Sequence, residues 1–101
     1  MQALFDILAD PGRRQILDLL RRRDRAAGEI VEAMRISQPG VSKHLKLLRD
    51  AGLVDVRGEG QRRIYSLKPE PLAELDRWLA PYRAFWSGKL DALGAHLNRE
   101  Q

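Results

Sequence analysis

The chain has 101 residues, of which 44% are hydrophobic and 32% are charged, a balance typical of one folded domain rather than a disordered segment. It contains no cysteine, which excludes disulfides, thiolate metal sites and thiol catalysis. The net charge is only +4, no apolar run reaches the length of about 18 residues that crosses a bilayer, and the first residues do not resemble a signal peptide, so we expect a cytoplasmic protein.

Two helices are predicted at the start of the chain. The first covers Ala3 to Ala9 and carries its apolar residues on one stripe. Asp10 then fits the N-cap of a second helix, and Pro11 fits the first helical position, where its missing N–H costs nothing. The buried side of the second helix would consist of Ile16, Leu17, Leu19 and Leu20.

A charged connection and two further helices are predicted next. The segment RRRDRAAGE ends the second helix, and a short third helix follows it. The inward residues of the third helix would be Ile30, Val31 and Met34. After the joint RIS, a fourth helix is predicted at about 38–51, because Ser37 can accept a backbone N–H at its start and Gly52 can end it. Two helices joined so closely form the helix-turn-helix pattern.

The fourth helix has an apolar arc and a polar face. Val41, Leu45 and Leu48 fall within one narrow arc at about 100° per residue. The opposite face carries Gln38, Pro39, Ser42, Lys43, Lys46 and Asp50. Residues 37–63 hold six Lys or Arg against three Asp or Glu, a net charge of +3, whereas residues 1–36 have +1 and residues 64–101 have zero. Clustered positive charge favours a polyanionic partner, although a solvated face has the same composition.

The apolar spacing changes from helical to alternating at about 54–67, which predicts a β-hairpin. Val54 and Val56 alternate with charged residues, Ile64 and Leu67 lie in the return strand, and the segment GEGQ supplies the turn. The residues near the tip would be Arg57, Arg62 and Arg63. A hairpin that directly follows such a helix is a wing.

A long helix is predicted at about 70–98. Its apolar residues step by three and four positions, in a stripe that comprises Leu72, Leu75, Leu79, Tyr82, Trp86, Leu90, Leu93 and Leu97. Pro81 should kink this helix or split it near Ala80. Part of the stripe is expected to pack on the N-terminal helix. The remainder is too long for so small a domain to cover, and we expect it to meet a second copy of the chain, although an intramolecular core is the alternative.

Four segments resemble the ArsR family of bacterial winged helix-turn-helix transcriptional regulators, namely LADPGRRQILDLL, GEIVEAM, SQPGVSKHLKLLRDAGLV and GEGQRRIYSL. The resemblance runs from about Leu4 to Leu67, and the tail is similar to the C-terminal helix of a subgroup without recognisable metal ligands. It implies one domain over residues 1–101, mainly α with a small β-hairpin, dimerised through its N- and C-terminal helices. It also implies a homodimer that represses promoters and places its recognition helices in successive major grooves of double-stranded DNA.

The resemblance assigns two sets of site residues. The DNA-binding set comprises Ser37, Gln38, Pro39, Ser42, Lys43, His44, Lys46, Arg57, Arg62 and Arg63. Gln38 suits a bidentate contact with adenine, and His44 fits either a phosphate contact or a bond within the protein. Lys43 and Lys46 could reach guanine or phosphate, of which phosphate is favoured, and Arg62 and Arg63 would place the wing on the duplex backbone or in a minor groove. The dimer set comprises Leu4, Phe5, Leu8, Leu79, Tyr82, Trp86, Leu90, Leu93 and Leu97.

The chain departs from the family at the metal-sensing positions. Where founding members have cysteines ahead of the recognition helix, this chain has Ala26 and Gly28. The final helix offers only His96 with Asp91 five residues earlier, a spacing that does not place both side chains neatly on one face. We therefore expect no metal and no cofactor, and an inducing ligand stays unidentified.

The same residues bear on three other classes of function, namely an enzyme, a protein-contact module, and a DNA-binding activator or architectural protein. Catalysis needs a nucleophile beside a base or paired titratable groups in a pocket, and no motif links the two histidines and four serines. A winged helix used only for protein contact would favour aromatic anchors over the polar face predicted here. A DNA-binding activator or an architectural protein stays open, because the sequence does not encode the sign of regulation.

Overall fold

The computed structural model describes the backbone of residues 1–100 and the side chains of residues 1–91. The elements in chain order are α1 (Gln2–Leu8), α2 (Pro11–Arg22), β1 (Arg25–Ala26), α3 (Ala27–Met34), α4 (Gln38–Asp50), β2 (Val54–Glu59), β3 (Arg62–Leu67) and α5 (Glu70–Glu100). This confirms the predicted class, a mainly helical domain with a small antiparallel sheet. Within the described residues, no helix has both the length and the hydropathy needed to cross a membrane.

The start of α2 forms as its sequence predicts. The Asp10 carboxylate accepts the Arg13 backbone N–H at 3.0 Å, and Pro11 occupies the first helical position. The same turn also caps the C-terminal end of α1, because the Arg13 and Arg14 guanidinium groups donate to the last carbonyls of that helix. The closest of these contacts are Arg13 Nε to Ile7 O at 2.8 Å and Arg14 Nη1 to Leu8 O at 2.6 Å. These bonds stabilise a seven-residue helix that is too short to persist alone.

The core lies between α2, α3, α4 and the sheet. Its buried residues are Leu4, Ile16, Leu17, Leu20, Ile30, Met34, Val41, Leu45, Leu48, Leu53, Val54 and Tyr65. The predicted inward residues Leu19 and Val31 are half-buried and pack against this cluster. The short helices are therefore held mainly by their apolar faces, since propensity alone supports helices of this length poorly.

Both ends of α4 are closed by specific hydrogen bonds. The Ser37 hydroxyl accepts the Gly40 N–H at 3.2 Å, as predicted for an N-cap. At the other end, the Gly52 N–H donates to Arg49 O at 2.9 Å and the Leu53 N–H donates to Leu48 O at 3.0 Å. These two bonds form a Schellman motif, which needs the positive φ of +76° that Gly52 adopts. The helix is therefore fixed in length as well as in position.

The joint between α3 and α4 contains a residue in the left-handed region. Arg35 ends α3 with a φ of 57° and donates its N–H to Val31 O at 3.2 Å. This conformation is unfavourable for a residue with a Cβ, by about 1–2 kcal/mol. The core on both sides of the joint holds it, since Met34 and Val41 are buried.

The wing differs from the sequence prediction at its turn. Gly58 pairs with Arg63 and Glu59 pairs with Arg62, so only Gly60 and Gln61 form the turn. The predicted four-residue turn GEGQ is thus wrong in its first two residues. Gly60 has a φ of +64°, which is the conformation that two-residue hairpin turns require. The two strands consequently remain paired up to the tip.

A third strand joins the sheet where the sequence predicts only a charged connection. β1 pairs with β3, with Arg25 opposite Tyr65 and Ala26 opposite Ile64, and the strand order is β1-β3-β2. Two residues carry no alternating pattern, so sequence periodicity could not reveal this strand. The pairing anchors the wing to the segment that precedes α3.

The last helix is continuous through Pro81, so the predicted split at Ala80 does not occur. Its first apolar residues, Leu72 and Leu75, pack against the core. A helix of 31 residues is about 46 Å long, which exceeds the width of the rest of the domain. The Cα radius of gyration is accordingly 18.1 Å, against about 13 Å for a compact domain of this size. Much of α5 therefore extends beyond the core against which its first turns pack.

Candidate nucleic-acid interface

The outer face of α4 presents polar and charged side chains to solvent. Ser37 and Pro39 lie in the exposed first turn, and Gln38, Ser42, Lys43 and Lys46 follow on the exposed side of the helix. The apolar arc of Val41, Leu45 and Leu48 is buried on the opposite side, as predicted. The outward groups combine amide, hydroxyl and ammonium donors. These are the groups that contact base edges and phosphates in nucleic-acid complexes.

The wing and α4 border one cleft. Its volume is about 290 Å³, and its polar edge includes Gln38 and Ser42 from the helix and Arg63 from β3. Val41 and Leu45 line its inner side. The sequence-predicted residues of the helix and one arginine of the wing are thus brought together. A partner that lies along α4 would meet this arginine at the same time.

The other two wing arginines are held by carboxylates from outside the wing. Arg57 Nη1 lies 2.8 Å from Asp24 Oδ2, and Arg62 Nη2 lies 3.1 Å from Glu29 Oε1. Glu29 also accepts Arg23 Nη2 at 2.8 Å. Sequence reasoning missed Asp24 and Glu29, because each is 33 residues away from its arginine. Without the pairing of β1 with β3, no local signal places them beside the wing.

These contacts change the titration of the groups that form them. The Ala26 backbone N–H donates to Glu29 Oε1 at 3.1 Å, and this bond, followed by the bond from Arg23, lowers the pKa of the Glu29 carboxyl. The hydrogen bond to Asp24 raises the pKa of the Arg57 guanidinium. Both groups therefore stay charged over a wider pH range than in an unfolded chain.

The cations of the predicted DNA-binding set differ in their partners. Lys46 Nζ lies 3.1 Å from Asp50 Oδ2, one turn along α4. Among the side chains of residues 1–91, neither Lys43 nor Arg63 forms an ion pair with a carboxylate. One lysine on the helix and one arginine on the wing are thus not engaged by a carboxylate of the described side chains.

His44 faces α2 rather than the outer surface of α4. Its side chain is 20% exposed, and Nε2 lies 3.9 Å from Asp10 Oδ2. A Cβ added at Gly12 would lie 3.0 Å from Nε2, so the ring packs closely against the first turn of α2. Of the two roles left open by the sequence, the contact within the protein is the one that this geometry favours.

The predicted dimer residues divide into buried and exposed groups. Leu4 belongs to the subunit's own core, and Leu8 and Leu79 are half-buried. Phe5 packs edge-on against Trp78, with ring centroids 5.9 Å apart, which joins α1 to α5. Tyr82, Trp86 and Leu90 are 50%, 44% and 62% exposed. Leu93 and Leu97 lie outside the residues whose side chains the structure describes.

A metal centre was not expected from the sequence. Within the described residues, no group of three or more His, Asp or Glu side chains is arranged to hold a metal ion. His96 lies outside the described side chains, so its pairing with Asp91 is not assessed by this geometry. The absence of a metal site stays a prediction.

Comparison with known proteins places these features in context. The family described as bacterial regulatory protein, arsR family, matches residues 10–56. The transcriptional repressor SdpR of Bacillus subtilis is 39% identical over 78% of this chain and 88% of its own length. The HTH-type transcriptional regulator Rv2034 of Mycobacterium tuberculosis is 38% identical over 95% of this chain and 87% of its own length. A crystal structure of an ArsR family transcriptional regulator superposes with a TM-score of 0.74 at 29% identity, covering 85% of this chain and 94% of that one.

Proposed function

Because the chain belongs to the ArsR family of bacterial regulatory proteins, we propose that it is a homodimeric repressor that binds a palindromic operator in double-stranded DNA. Membership in a family of transcriptional regulators confirms that the protein is not an enzyme. The observation that carries the proposal is the outer face of α4, where the polar side chains of Gln38, Ser42, Lys43 and Lys46 are exposed and the wing arginine Arg63 lies nearby.

We assign the reading of sequence to the start of α4. A B-DNA major groove is about 12 Å wide and admits one helix, so the exposed face of α4 can reach the base edges. Gln38 is exposed in the first turn, where an amide can bond adenine at two positions, and Ser42 follows one turn later. Lys43 and Lys46 extend from the same face and suit the phosphates that flank the groove.

The wing would fix the position of each subunit on the duplex backbone. Arg63 borders the cleft beside Gln38 and Ser42, so it lies where a phosphate or a narrow minor groove would follow the major groove. Arg57 and Arg62 also belong to the wing but are engaged by carboxylates in the free protein. His44 is assigned to packing against α2 rather than to the DNA.

The dimer would form through α5, with Phe5 of α1 at its edge. Trp78, Tyr82, Phe85, Trp86 and Leu90 are all exposed large apolar residues of one helix. A contiguous apolar surface of this kind marks an association site in a soluble protein. Two-fold symmetry would then present two copies of α4 about 34–36 Å apart, one turn of the double helix.

The proposed location is the cytoplasm, in association with the nucleoid, because an operator-binding protein acts where the chromosome lies. The proposed sign of regulation is repression, which is supported by the name of the relative from Bacillus subtilis. The exposed face of α4 lacks the aromatic and apolar anchors that characterise protein interfaces, so a role confined to protein contact fits it less well.

The proposal is tested by selecting bound duplexes from fragmented genomic DNA with the purified protein. We expect recovered sequences to share an inverted repeat with half-sites about one helical turn apart. Binding should weaken with salt, with a log–log slope of about −0.9 for each phosphate contacted. Recovery of unrelated sequences with a flat salt response would contradict a DNA-binding role and favour a protein partner.

A further inference from the structure

Two clusters of ion pairs connect the wing to the α2–α3 region, and together they are electrically neutral. One cluster comprises Asp24, Arg57 and Glu59, and the other comprises Arg23, Glu29 and Arg62. We name the two clusters together the wing clamp. Its three arginines balance its three carboxylates. The sequence segment that contains the wing has an excess of positive charge, but the fold adds Asp24 and Glu29 from the α2–α3 region. The local field at the wing is therefore weaker than its own arginines imply.

We propose that Asp24 and Glu29 are specificity-determining residues that hold Arg57 and Arg62 away from the phosphates of non-operator DNA. The inference rests on the proposed function, because it concerns how that DNA-binding surface distinguishes one duplex from another. Arg63, whose side chain forms no ion pair within residues 1–91, is the wing residue left to contact the backbone.

Within the wing clamp, the Arg57 guanidinium lies between two carboxylates. Nη1 donates to Asp24 Oδ2 at 2.8 Å, and Nη2 lies 3.5 Å from Glu59 Oε2. Both terminal nitrogens thus face carboxylates. A phosphate binds guanidinium N–H donors of the same kind, so it competes with these carboxylates for the terminal nitrogens of this arginine.

The geometry of Glu29 makes its hold on Arg62 persistent. Its Oε1 accepts both the Ala26 N–H and Arg62 Nη2, while its Oε2 accepts Arg23. The bond from the Ala26 N–H holds this side chain at the first turn of α3 independently of the arginines. A carboxylate that is already ordered loses little conformational entropy when it pairs, which strengthens its competition with a mobile phosphate partner.

Competition between these carboxylates and DNA phosphates for the two arginines affects how well the protein distinguishes its operator from other DNA. Phosphate contacts supply the sequence-independent part of DNA binding, and every chromosomal position offers them. The quantity that matters for a regulator is the ratio of operator to non-operator affinity. If Arg57 and Arg62 do not contact phosphates, the affinity for non-operator DNA falls while the base contacts of α4 are unchanged. The ratio of operator to non-operator affinity therefore rises.

The test compares Asp24→Asn and Glu29→Gln with Asp18→Asn. Each change removes one negative charge, but Asp18 pairs with Arg21 and Arg22 of α2 and makes no contact with the wing. Glutamine at position 29 retains an oxygen that can accept the Ala26 N–H, so α3 keeps its cap. Binding to a fluorescein-labelled duplex of mixed sequence is measured by anisotropy between about 50 and 200 mM salt.

We expect each wing-clamp variant to bind the mixed-sequence duplex about two- to fivefold more tightly than Asp18→Asn, the change that corresponds to one exposed ion pair. The salt slope should steepen by up to about 0.9 for each arginine released. On the selected operator the gain should be smaller. In the otherwise unchanged protein, Arg63→Gln should weaken mixed-sequence binding more than Arg57→Gln does.

Other outcomes separate this inference from the proposed function. Equal affinities for the wing-clamp variants and Asp18→Asn would overturn the inference while leaving DNA binding intact. Weaker binding by the wing-clamp variants would also overturn it, because the carboxylates would then position the arginines for phosphates. If the unaltered protein bound neither mixed-sequence DNA nor any selected duplex, the proposed function itself would fail. Circular dichroism melts of all variants establish that each one folds.

Discussion

The helices α4 and α5 both carry an apolar stripe, but α4 buries this stripe whereas α5 leaves much of it exposed. In α4 the apolar arc is turned inward, with Leu48 at 0% exposure, and the polar face is outside. In α5, polar and apolar side chains are both exposed between Ala80 and Asp91, with Leu90 at 62% exposure. The exposed side chains of each helix support the proposed partners, which are double-stranded DNA for α4 and a second copy of the chain for α5.

The difference arises from where each helix ends relative to the core. α4 spans 13 residues, is closed at both ends by hydrogen bonds, and fits within the width of the domain. α5 has 31 residues, and among its described side chains those that pack against the core, Leu72 and Leu75, lie in its first turns. An apolar stripe left exposed in this way supports the proposed association through α5.

The largest expected effect comes from truncating the same residue type in the two helices. Leu48→Ala should lower the free energy of unfolding by about 2–5 kcal/mol, because it leaves a cavity in a closed core. Leu90→Ala should act only through association, so its effect on the melting temperature should depend on protein concentration. Denaturation at several concentrations distinguishes the two, and a concentration-independent loss at Leu90 would contradict the comparison.

A charge placed on the exposed stripe of α5 should abolish association. Trp86→Arg introduces a cation that would be buried without a partner in the dimer, and such burial costs several kcal/mol. We expect a monomer by light scattering, with helical content retained. Glu74→Arg, at an exposed polar position of the same helix, is the control and should leave the dimer intact. A dimeric Trp86→Arg protein would remove α5 from the interface.

A smaller effect is expected on the outer face of α4. Gln38→Ala should cost about 1–3 kcal/mol on the preferred operator and relax base preference at one position of each half-site. Lys43→Ala should instead weaken binding to all sequences and reduce the salt slope by about one. Binding to a panel of operator variants measures both. Uniform weakening by Gln38→Ala would refute its assignment as a base-reading residue.

The smallest expected effect is on the pH dependence of the unfolding free energy, and it should arise at Asp10, the N-cap of α2. The hydrogen bond from the Arg13 N–H lowers the pKa of Asp10 below its ordinary value of 3.8. Because the pKa is lower in the folded state, the charged carboxylate stabilises the fold above pH 3.8, and this contribution is lost as the pH falls through the folded-state pKa.

Asp10→Asn keeps a capping oxygen but cannot titrate. The difference in unfolding free energy between it and the unaltered protein should be constant near neutral pH and shrink in acid. Urea denaturation at a series of pH values measures this difference. A difference that grows in acid would contradict the lowered pKa.

Local signals in the sequence predicted most of the elements. Asp10 with Pro11, Ser37 and Gly52 each act on the backbone within a few residues, so the ends of α2 and α4 could be read directly. The alternation of Val54 and Val56 likewise predicted the first strand of the wing, β2. These predictions are confirmed because caps and strand alternation depend on neighbours in the chain rather than on the final packing.

What the sequence could not reveal depends on contacts between distant residues. β1 exists only because Arg25 and Ala26 meet β3, and that meeting brings Asp24 and Glu29 to the wing arginines. The guanidinium caps on α1 were also missed, since Arg13 and Arg14 resemble solvated charges in the sequence. The number of cations in a segment was therefore a poor measure of the charge that its surface presents.

The strand order leaves β2 at the outer edge of the described sheet. An edge strand offers unpaired backbone groups to which a neighbouring molecule can add, and this is a common origin of aggregates. Here the edge carries Asp55, Arg57 and Glu59, charged residues of both signs, next to a turn that ends the strand. Charges of both signs at this edge disfavour the addition of a strand from another molecule.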